Sequence, residues 1–351
     1  MKKIIKQALG CLALSMCITS VYADKIRFIG NDGPAPDPVT LKKLGLDRKA
    51  PPLRIKVVSK TVKFAGKSPQ LVFKSPQRTK KQVEQVAQLP QFDDKLPQLD
   101  SNIALIFDEK TQKLLYQKNA RMVAPIASIT KLMTAMVVLD ANLPMNKAVS
   151  VETADMDVLK GTRSRLSVGM TFQRSELLKL ALMSSENRAA AALARTYPGG
   201  RKAAIAAMNA KAKALGMQNT YFRDPTGLNS NNVSTARDLV KMVAAARRYA
   251  TIRRFTTTSS HIVNAKAGKE LMFNNTNPLV RSDSWDIGVS KTGFINEAGR
   301  CLVMEARINK RPVIIVLLDS QGKTARIEDA RRIKRWMEAS AATLYGKTVS
   351  V

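Results

Sequence analysis

The order of the secondary-structure patterns in the second part of the chain constrains its fold more than any other feature of the sequence. Two apolar runs, Ile103–Asp108 and Lys113–Gln117, flank a short polar turn and predict a β-hairpin. Helical periodicity dominates from about 128 to 250, and three further strands are then predicted at Ile287–Thr292, Arg300–Ile308 and Pro312–Asp319. A last amphipathic helix is predicted over about 327–344. This segregation favours an α+β fold with an antiparallel sheet over alternating βαβ units.

The middle of the chain predicts four helices. The first carries apolar residues at helical spacing from Ile129 onward, and the second opens at Ser175. The third spans Arg201–Leu215 and stops at Gly216, and the fourth follows Thr235, which can cap its first turn. Because the methionines of this block fall within the helical stripes, we interpret them as core residues and not as metal ligands.

The first 98 residues differ in composition and periodicity from the rest of the chain. Three lysines precede a short apolar run, so residues 1–23 are predicted to be a secretory signal peptide, with an uncleaved membrane anchor as the alternative. Residues 24–98 hold nine of the 15 prolines, interleaved with Lys, Gln and Ser, which predicts a linker or tether. A short apolar piece such as Leu53–Val58 could instead add an edge strand. The folded domain is expected to span residues 99–346.

Cysteine and histidine are both scarce, and their scarcity limits the chemistry. Cys11 and Cys17 would leave with the signal peptide, so Cys301 alone would remain, predicted to be buried and inert, and no intrachain disulfide is expected. The single histidine, His261, cannot build a multi-histidine metal or haem site. It lies in a polar, loop-like stretch and is interpreted as a surface residue. If the protein is a hydrolase, its general base is therefore not expected to be histidine.

The chain is strongly basic. It has 58 Lys and Arg against 27 Asp and Glu, a formal net charge of +31, which attracts polyanions over long distances. Nucleic acid is the obvious polyanion in the cytoplasm, whereas an exported protein meets anionic cell-wall polymers and membrane surfaces. Charge alone does not choose between them.

Ser128 and Lys131 form the first candidate pair. They are three residues apart at the start of an apolar helix, so the hydroxyl and the amine share one helix face. A desolvated lysine with a lowered pKa can serve as the base for a serine nucleophile, and a helix N-terminus favours a developing oxyanion. The same spacing occurs at Ser320 and Lys323, where Gly322 and polar flanks predict a turn. The alternative for the first pair is a capping serine followed by a solvated lysine.

A second candidate motif, the triplet Ser185-Glu186-Asn187, interrupts a long segment rich in Leu and Ala. A polar kink between two apolar helices can direct a hydroxyl and a carboxamide into a cleft. The same S-x-N pattern occurs at Ser230 and Asn232, so it also arises by chance. A plain helix junction is the alternative interpretation.

A third candidate motif, the triplet Lys291-Thr292-Gly293, is predicted at the end of a strand. Lysine and threonine can hold a carboxylate there, while glycine lets a peptide backbone lie against the strand edge. The alternative is an exposed strand end with a turn glycine.

In this order, the pair and the two triplets resemble the S-x-x-K, S-x-N and K-T-G motifs of the penicillin-recognising serine enzymes. Their spacings of 57 and 106 residues suit the low-molecular-mass penicillin-binding proteins. The resemblance covers about residues 100–345 and favours the D-alanyl-D-alanine endopeptidase branch. The resemblance extends well beyond the motifs, over the segments Ala127–Met145, Leu180–Gly200, Lys211–Met217, Asp224–Leu228, Val233–Leu239 and Lys291–Gly299.

The resemblance implies both a fold and a function. The fold would be that of penicillin-binding proteins and serine β-lactamases: α+β, with a five-stranded antiparallel sheet, helices on its faces and a mainly helical lobe. The function would be a periplasmic, penicillin-sensitive serine D,D-endopeptidase that hydrolyses D-Ala cross-links in peptidoglycan. Peptidoglycan stem peptides would be substrates and β-lactams covalent inhibitors, and no cofactor or metal is expected. The polyanion would then be the cell wall, with no nucleic-acid partner.

The resemblance also implies a role for each motif residue. Ser128 would form the acyl-enzyme, Lys131 would take its proton, and Ser185 would relay a proton to the leaving amine. The substrate-binding residues would be Asn187, which also holds Lys131, and Lys291, Thr292 and Gly293, of which Lys291 and Thr292 bind the substrate carboxylate. The oxyanion hole would use the backbone N–H groups of Ser128 and Phe294. Glu186 receives no role, and no carboxylate stands out as the deacylating base of a class A β-lactamase.

Two other functions remain open at this stage. One is a D,D-carboxypeptidase that trims terminal D-Ala, and the other is a non-catalytic, basic cell-wall-binding protein with a decayed triad. The 58 residues after Gly293 are expected to supply two strands and one helix, without a second β domain. The basic residues of that last helix lie opposite Ile333, Trp336 and Met337. This stripe is expected to pack on the sheet, with peripheral membrane contact as the alternative.

Overall fold

The computed structural model describes residues 96–264 and 270–346. The predicted signal peptide and nearly all of the predicted linker lie outside the described residues. The described strands are β1 (Ile103–Asp108), β2 (Lys113–Lys118), β3 (Ala124–Pro125), β4 (Ala148–Ser150), β5 (Thr171–Gln173), β6 (Val233–Ser234), β7 (Ser260–Asn264), β8 (Glu270–Asn274), β9 (Asp286–Ile295), β10 (Gly299–Ile308) and β11 (Arg311–Ser320). The described α-helices are α1 (Thr130–Asp140), α2 (Arg174–Met183), α3 (Asn187–Arg195), α4 (Gly200–Ala214), α5 (Ala236–Ala246), α6 (Ala250–Thr256) and α7 (Ala325–Gly346).

Five long strands form one antiparallel sheet in the order β2-β1-β11-β10-β9. In its register, Leu105 of β1 lies opposite Val316 of β11, and Lys291 of β9 lies opposite Val303 of β10. The central strands β1, β10 and β11 are buried on both faces, which explains their nearly continuous apolar sequences. The predicted hairpin and the three later predicted strands are the members of this sheet, so the α+β prediction is confirmed.

The two faces of the sheet bury separate apolar clusters, because side chains alternate along each strand. Val303 and Val316 point into the larger cluster, which is shared with the helical block. Their neighbours Leu302 and Leu317 belong to the smaller cluster, beneath α7. Helix α7 contributes three residues of its apolar stripe to that smaller cluster: Ile333, Trp336 and Met337. The stripe therefore packs on the sheet, as expected. Within the described ranges, no helix is both long and apolar enough to cross a membrane.

Helix α1 lies at the centre of the helical block. Nine of its eleven residues are buried, including Lys131. A helix that is apolar almost all round is enclosed by neighbours on every side. Its position carries the amine of Lys131 into the protein interior, where water cannot solvate it freely.

Two local expectations are corrected by the structure. Strand β9 continues to Ile295, so Lys291-Thr292-Gly293 lies within an edge strand and not at its end. His261 belongs to strand β7 and is half-buried, with its Nε2 3.3 Å from Oε1 of Glu176. The short pairs β3–β6 and β4–β5 and the hairpin β7–β8 were not predicted. By contrast, Cys301 is fully buried as predicted, and burial raises the pKa of its thiol to about 12.

Candidate active site

Ser128 lies in a single 3-10 turn, Ala127–Ile129, that leads into α1. The turn begins in an unusual conformation, because Ala127 has a φ of 46°. Two glycines make this close arrangement possible. A Cβ on Gly227 would lie 1.9 Å from the carbonyl oxygen of Ala127, and a Cβ on Gly293 would lie 3.1 Å from the backbone nitrogen of Ser128. Positive φ in a non-glycine residue stores strain that the surrounding structure must maintain, and such residues cluster at functional sites.

Lys131 is buried beside Ser128, with 1% of its surface exposed. Its Nζ lies 2.7 Å from Ser128 Oγ, 2.8 Å from Asn187 Oδ1 and 2.7 Å from the backbone oxygen of Thr226. These three acceptors satisfy an ammonium group completely. When Lys131 is neutral, its lone pair can instead accept the proton of the Ser128 hydroxyl.

The electrostatics of Lys131 suit a base at neutral pH. Burial lowers the pKa of Lys131 from 10.5 to about 7, although the carboxylates of Asp224 and Glu186 act to raise it. Burial disfavours the charged form because the interior solvates an ammonium poorly. A large fraction of Lys131 is therefore neutral near pH 7, at hydrogen-bond distance from the serine hydroxyl.

The carbonyl of Thr226 reaches Lys131 from a loop, within the segment Asp224–Leu228, that belongs to none of the three motifs. Asp224 organises this loop by accepting hydrogen bonds from the backbone N–H groups of Thr226, Gly227 and Asn229. Asn232, fully buried, donates to Asp224 Oδ1 and to Thr130 Oγ1, and so ties the loop to the start of α1. This Asn232 closes the second S-x-N match in the sequence, and its role is to hold the loop.

The Ser185-Glu186-Asn187 triplet forms the junction between α2 and α3. Ser185 has a φ of 62°, so this motif residue is itself strained, whereas Ala127 lies next to the first motif. Its Oγ accepts a hydrogen bond of 2.9 Å from Nζ of Lys291. Asn187 points its Oδ1 to Lys131 and donates from Nδ2 to Oγ1 of Thr162 at 3.0 Å. The triplet thus links the first and third motifs.

Lys291 is a second buried lysine, also 1% exposed. Burial lowers the pKa of Lys291 well below its ordinary value, and the positive charges of Lys131 and Arg326 lower it further. Besides Ser185, its Nζ donates to the backbone oxygen of Thr292 at 2.9 Å. The Thr292 hydroxyl lies 2.6 Å from that of Thr276. This cluster of donors with a surplus of positive charge is suited to an anion.

Arg326, at the start of α7, is a further cation of this region and belongs to none of the three motifs. It is 8% exposed, and its Nε has no hydrogen-bond partner among the described residues. Burial lowers the pKa of its guanidinium, and the charge of Arg300 adds to that effect. An unsatisfied buried guanidinium nitrogen is costly unless a ligand completes it.

The open edge of β9 borders the nucleophile. Gly293 packs against the backbone of Ser128, and Phe294 follows it along the strand with half of its surface exposed. The two predicted oxyanion donors, Ser128 and Phe294, thus belong to adjoining stretches of backbone. An edge strand with a glycine at the point of contact can pair with an extended peptide.

The structure therefore brings the predicted motif residues into one continuous arrangement of side chains. The second S-x-x-K match is not part of it, because Ser320 ends strand β11 and bonds to Ser101 instead. In the described part of the chain, no group of three or more metal-ligating side chains could hold a metal ion. The residues that the motifs missed are those that act through charge or backbone: Asp224, Thr226, Gly227 and Arg326.

Comparison with known proteins gives consistent matches. A family model for peptidase S11, described as D-alanyl-D-alanine carboxypeptidase, matches residues 90–322. The chain is 49% identical over 244 residues to the D-alanyl-D-alanine endopeptidase of Pseudomonas aeruginosa, covering 69% of this chain and 79% of that protein. It is 50% identical over 239 residues to the Escherichia coli protein of the same name, covering 68% and 77%. The crystal structure of the Streptomyces K15 DD-transpeptidase is similar, with a TM-score of 0.65 and 32% identity over 70% of this chain and 99% of that chain.

Proposed function

Because the chain belongs to the S11 family of D-alanyl-D-alanine peptidases, we propose that it hydrolyses D-Ala cross-links in peptidoglycan through an acyl-enzyme on Ser128. The observation that carries this proposal is the 2.7 Å contact between Ser128 Oγ and a buried Lys131 whose pKa is lowered to about 7. A serine hydroxyl needs a base to become a nucleophile, and this amine is the base within reach. A lysine base is also compatible with the presence of a single histidine in the sequence.

Acylation begins with proton transfer from Ser128 Oγ to Nζ of Lys131. The oxygen attacks the carbonyl carbon of the D-Ala peptide bond, and the carbonyl oxygen becomes an oxyanion. The backbone N–H groups of Ser128 and Phe294 stabilise this charge. As the C–N bond breaks, the proton passes to the leaving amine through the hydroxyl of Ser185. Water then hydrolyses the ester, which restores the Ser128 hydroxyl and releases the D-Ala carboxylate.

The remaining motif residues bind the substrate. Asn187 holds Lys131 through its Oδ1 and has a second amide proton on Nδ2 for the substrate's amide carbonyl. Lys291 and Thr292 bind the carboxylate that follows the scissile bond, and Arg326 adds its charge to theirs. A bound carboxylate would favour the charged form of Lys291. Gly293 lets the substrate backbone approach the edge of β9.

Endopeptidase activity is proposed over carboxypeptidase activity for one reason. The two relatives at about 50% identity are both named endopeptidases, whereas the family as a whole is described as a carboxypeptidase family. The motif geometry serves both reactions, since the attacked D-Ala carbonyl is the same. The difference lies in whether the leaving group is a free D-Ala or a second stem peptide.

Its relatives are bacterial cell-wall enzymes, and we propose that this chain works in the periplasm after cleavage of the segment 1–23. The net charge of +31 would hold it near anionic cell-wall polymers. Immunodetection in periplasmic and cytoplasmic fractions, with N-terminal sequencing of the mature protein, tests both points. Recovery of the uncleaved chain from the membrane fraction would contradict them.

Labelling with a fluorescent penicillin tests the nucleophile. The wild-type protein should be acylated at Ser128, and Ser128→Ala should lose both the label and peptidase activity. Ser320→Ala is a matched control, because Ser320 also begins an S-x-x-K pattern but lies outside the site. Labelling of folded Ser128→Ala at the wild-type rate would overturn the assignment.

Digestion of purified muropeptides tests the reaction. Cross-linked dimers should be converted to monomers without release of free D-Ala. Release of free D-Ala from monomeric pentapeptides at a comparable rate would instead identify a carboxypeptidase. A protein that binds cell walls but leaves both substrates intact would be the non-catalytic alternative.

A further inference from the structure

A surface loop is connected to the proposed base by an uninterrupted chain of hydrogen bonds. Lys131 Nζ donates to Asn187 Oδ1 at 2.8 Å, and Asn187 Nδ2 donates to Thr162 Oγ1 at 3.0 Å. Thr162 Oγ1 in turn donates to Asp157 Oδ2 at 2.7 Å. Neither Asp157 nor Thr162 belongs to any of the three motifs. Both lie in the loop between β4 and β5, for which the sequence predicts no role.

The chemistry of these groups determines which group donates and which accepts in each of these hydrogen bonds. An ionised carboxylate can only accept hydrogen bonds, so the single proton of the Thr162 hydroxyl must go to Asp157. Burial acts to raise the pKa of Asp157, but hydrogen bonds from Thr162 and from nearby backbone groups outweigh it and lower the pKa below its ordinary value. Asp157 is therefore ionised at neutral pH, and the Thr162 oxygen is left as an acceptor for an N–H group.

That direction selects one of the two orientations of the Asn187 amide. The amide must place Nδ2 toward Thr162, and its Oδ1 then faces Lys131. The opposite orientation would set an NH2 group against the ammonium of Lys131 and an oxygen against the oxygen of Thr162. Both contacts would be repulsive, because the first would pair two donors and the second two acceptors.

We propose that Thr162, oriented by Asp157, is a positioning residue that locks the Asn187 amide in the orientation required by Lys131 and by the substrate. This inference rests on the proposed function, since it concerns the same base. Thr162 takes no part in proton transfer itself. It acts through Asn187, whose Oδ1 holds the amine beside Ser128 and whose remaining Nδ2 proton is directed into the site.

The loop is built to keep Thr162 in place. Asp157 accepts hydrogen bonds from the backbone N–H groups of Leu159, Lys160 and Thr162, so one carboxylate folds the loop around itself. Lys160 forms an ion pair with Glu297, in the turn that follows β9. The loop is thereby attached on one side to the S-x-N motif and on the other to the strand that carries K-T-G.

Removing the Thr162 hydroxyl should release the amide of Asn187. In Thr162→Val, the amide loses its acceptor and can rotate so that Nδ2 faces Lys131. Loss of the Oδ1 acceptor destabilises the ammonium form, so the pKa of Lys131 should fall. The amine would also be held less firmly beside Ser128. Because small misplacements of catalytic groups are costly, penicillin acylation above the pKa should slow roughly tenfold to a hundredfold.

The test compares three variants of the full chain. Thr162→Val removes the hydroxyl with little change in shape, Thr162→Ser restores it, and Thr171→Val is the matched control. Thr171 is an exposed threonine whose hydroxyl bonds to that of Ser150, outside the site. For each protein, we would measure the penicillin acylation rate against pH, the melting temperature, and the titration of Lys131 by NMR.

We expect Thr162→Val to acylate slowly and to shift both the Lys131 titration and the acid limb of the rate profile to lower pH. Thr162→Ser should recover the wild-type profile, and Thr171→Val should keep it. A wild-type rate and titration in Thr162→Val would overturn the proposal. So would a slow rate with an unshifted titration and a lowered melting temperature, which would indicate a merely structural role. Failure of the proposed function is seen separately, as absence of acylation in the wild type, while the NMR titration still reports on Thr162.

Discussion

Lys131 and Lys291 lie in neighbouring parts of one site and are buried to the same degree, yet their surroundings differ. Lys131 has three oxygen acceptors around its Nζ and feels the negative charges of Asp224 and Glu186. Lys291 has two oxygen acceptors, from Ser185 and Thr292, and the charges that act on it belong to cations.

This difference separates the tasks of the two lysines. Burial lowers the pKa of both, so burial alone assigns neither a role. Carboxylates near Lys131 offset part of the burial effect and bring its pKa to about 7, which suits a base that must gain and lose a proton. Positive neighbours around Lys291 leave its site short of negative charge, which suits the binding of a substrate anion. The protein itself supplies the negative charge near Lys131, whereas a bound substrate would supply it near Lys291.

Replacing the proposed base should have the largest effect. Lys131→Met keeps most of the side-chain volume but removes the amine, so penicillin acylation should fall roughly a thousandfold, as is typical when a general base is lost. Stopped-flow measurement with a chromogenic β-lactam gives the rate. Lys323→Met, in the unused S-x-x-K match, is the control and should react as the wild type does. A loss below tenfold in Lys131→Met would mean that another group activates Ser128.

Replacing the second lysine should affect recognition of the carboxylate more than the chemical step. A charge-assisted hydrogen bond to a carboxylate contributes enough to change affinity roughly tenfold to a hundredfold. Wild-type protein should therefore acylate faster with a penicillin than with its methyl ester, whereas Lys291→Met should hardly distinguish them. The ester is the internal control, since it lacks the charge that Lys291 would bind. If Lys291→Met still prefers the free acid over the ester as strongly as the wild type does, Lys291 does not bind the carboxylate.

The sheet and the two lysines could be predicted from the sequence, because the residues that form them have strong local patterns. The sheet follows from long apolar strands, and both lysines stand in recognisable triplets on predicted elements. The short pair β3–β6, of two residues per strand, is below the length at which periodicity is informative. It nevertheless ties the chain just before the nucleophile to the chain just after the loop that Asp224 organises, since Pro125 pairs with Val233.

The surroundings of the two lysines were harder to predict, for a physical reason. Thr226 contributes a backbone carbonyl, which every residue possesses, so its identity carries no signal at that position. Arg326 acts on Lys291 through its charge, from the far end of the catalytic region of the sequence. Motifs report side chains that perform chemistry at fixed spacing, whereas pKa values depend on everything that folds around them.

A smaller effect should follow from neutralising one carboxylate near Lys131. The charge of Glu186 raises the pKa of Lys131, so Glu186→Gln should lower that pKa and move the acid limb of the acylation profile to lower pH. The amide oxygen of glutamine can still accept the hydrogen bond that Ser164 donates to Glu186. Glu176→Gln, beside His261, is the control and should leave the profile unchanged. A shift to higher pH would show that Glu186 does not act on Lys131 through its charge.

The last expected effect is on stability, and its size depends on pH. Below about pH 7, Lys131 is protonated in both folded and unfolded chains, so the folded wild type retains a buried charge. Between that pH and 10.5, the unfolded chain binds a proton that the folded chain lacks, so raising the pH stabilises the wild type.

Lys131→Met lacks this titration. Its free energy of unfolding relative to the wild type should therefore decline steadily as pH rises from about 7 to 10, whatever pH-independent cost its unpaired acceptors add. Denaturant unfolding at several pH values measures the difference, with Lys323→Met as the control. A difference that stays constant across this range would mean that Lys131 titrates near its ordinary value when folded, and the distinction between the two lysines would then have to rest on geometry alone.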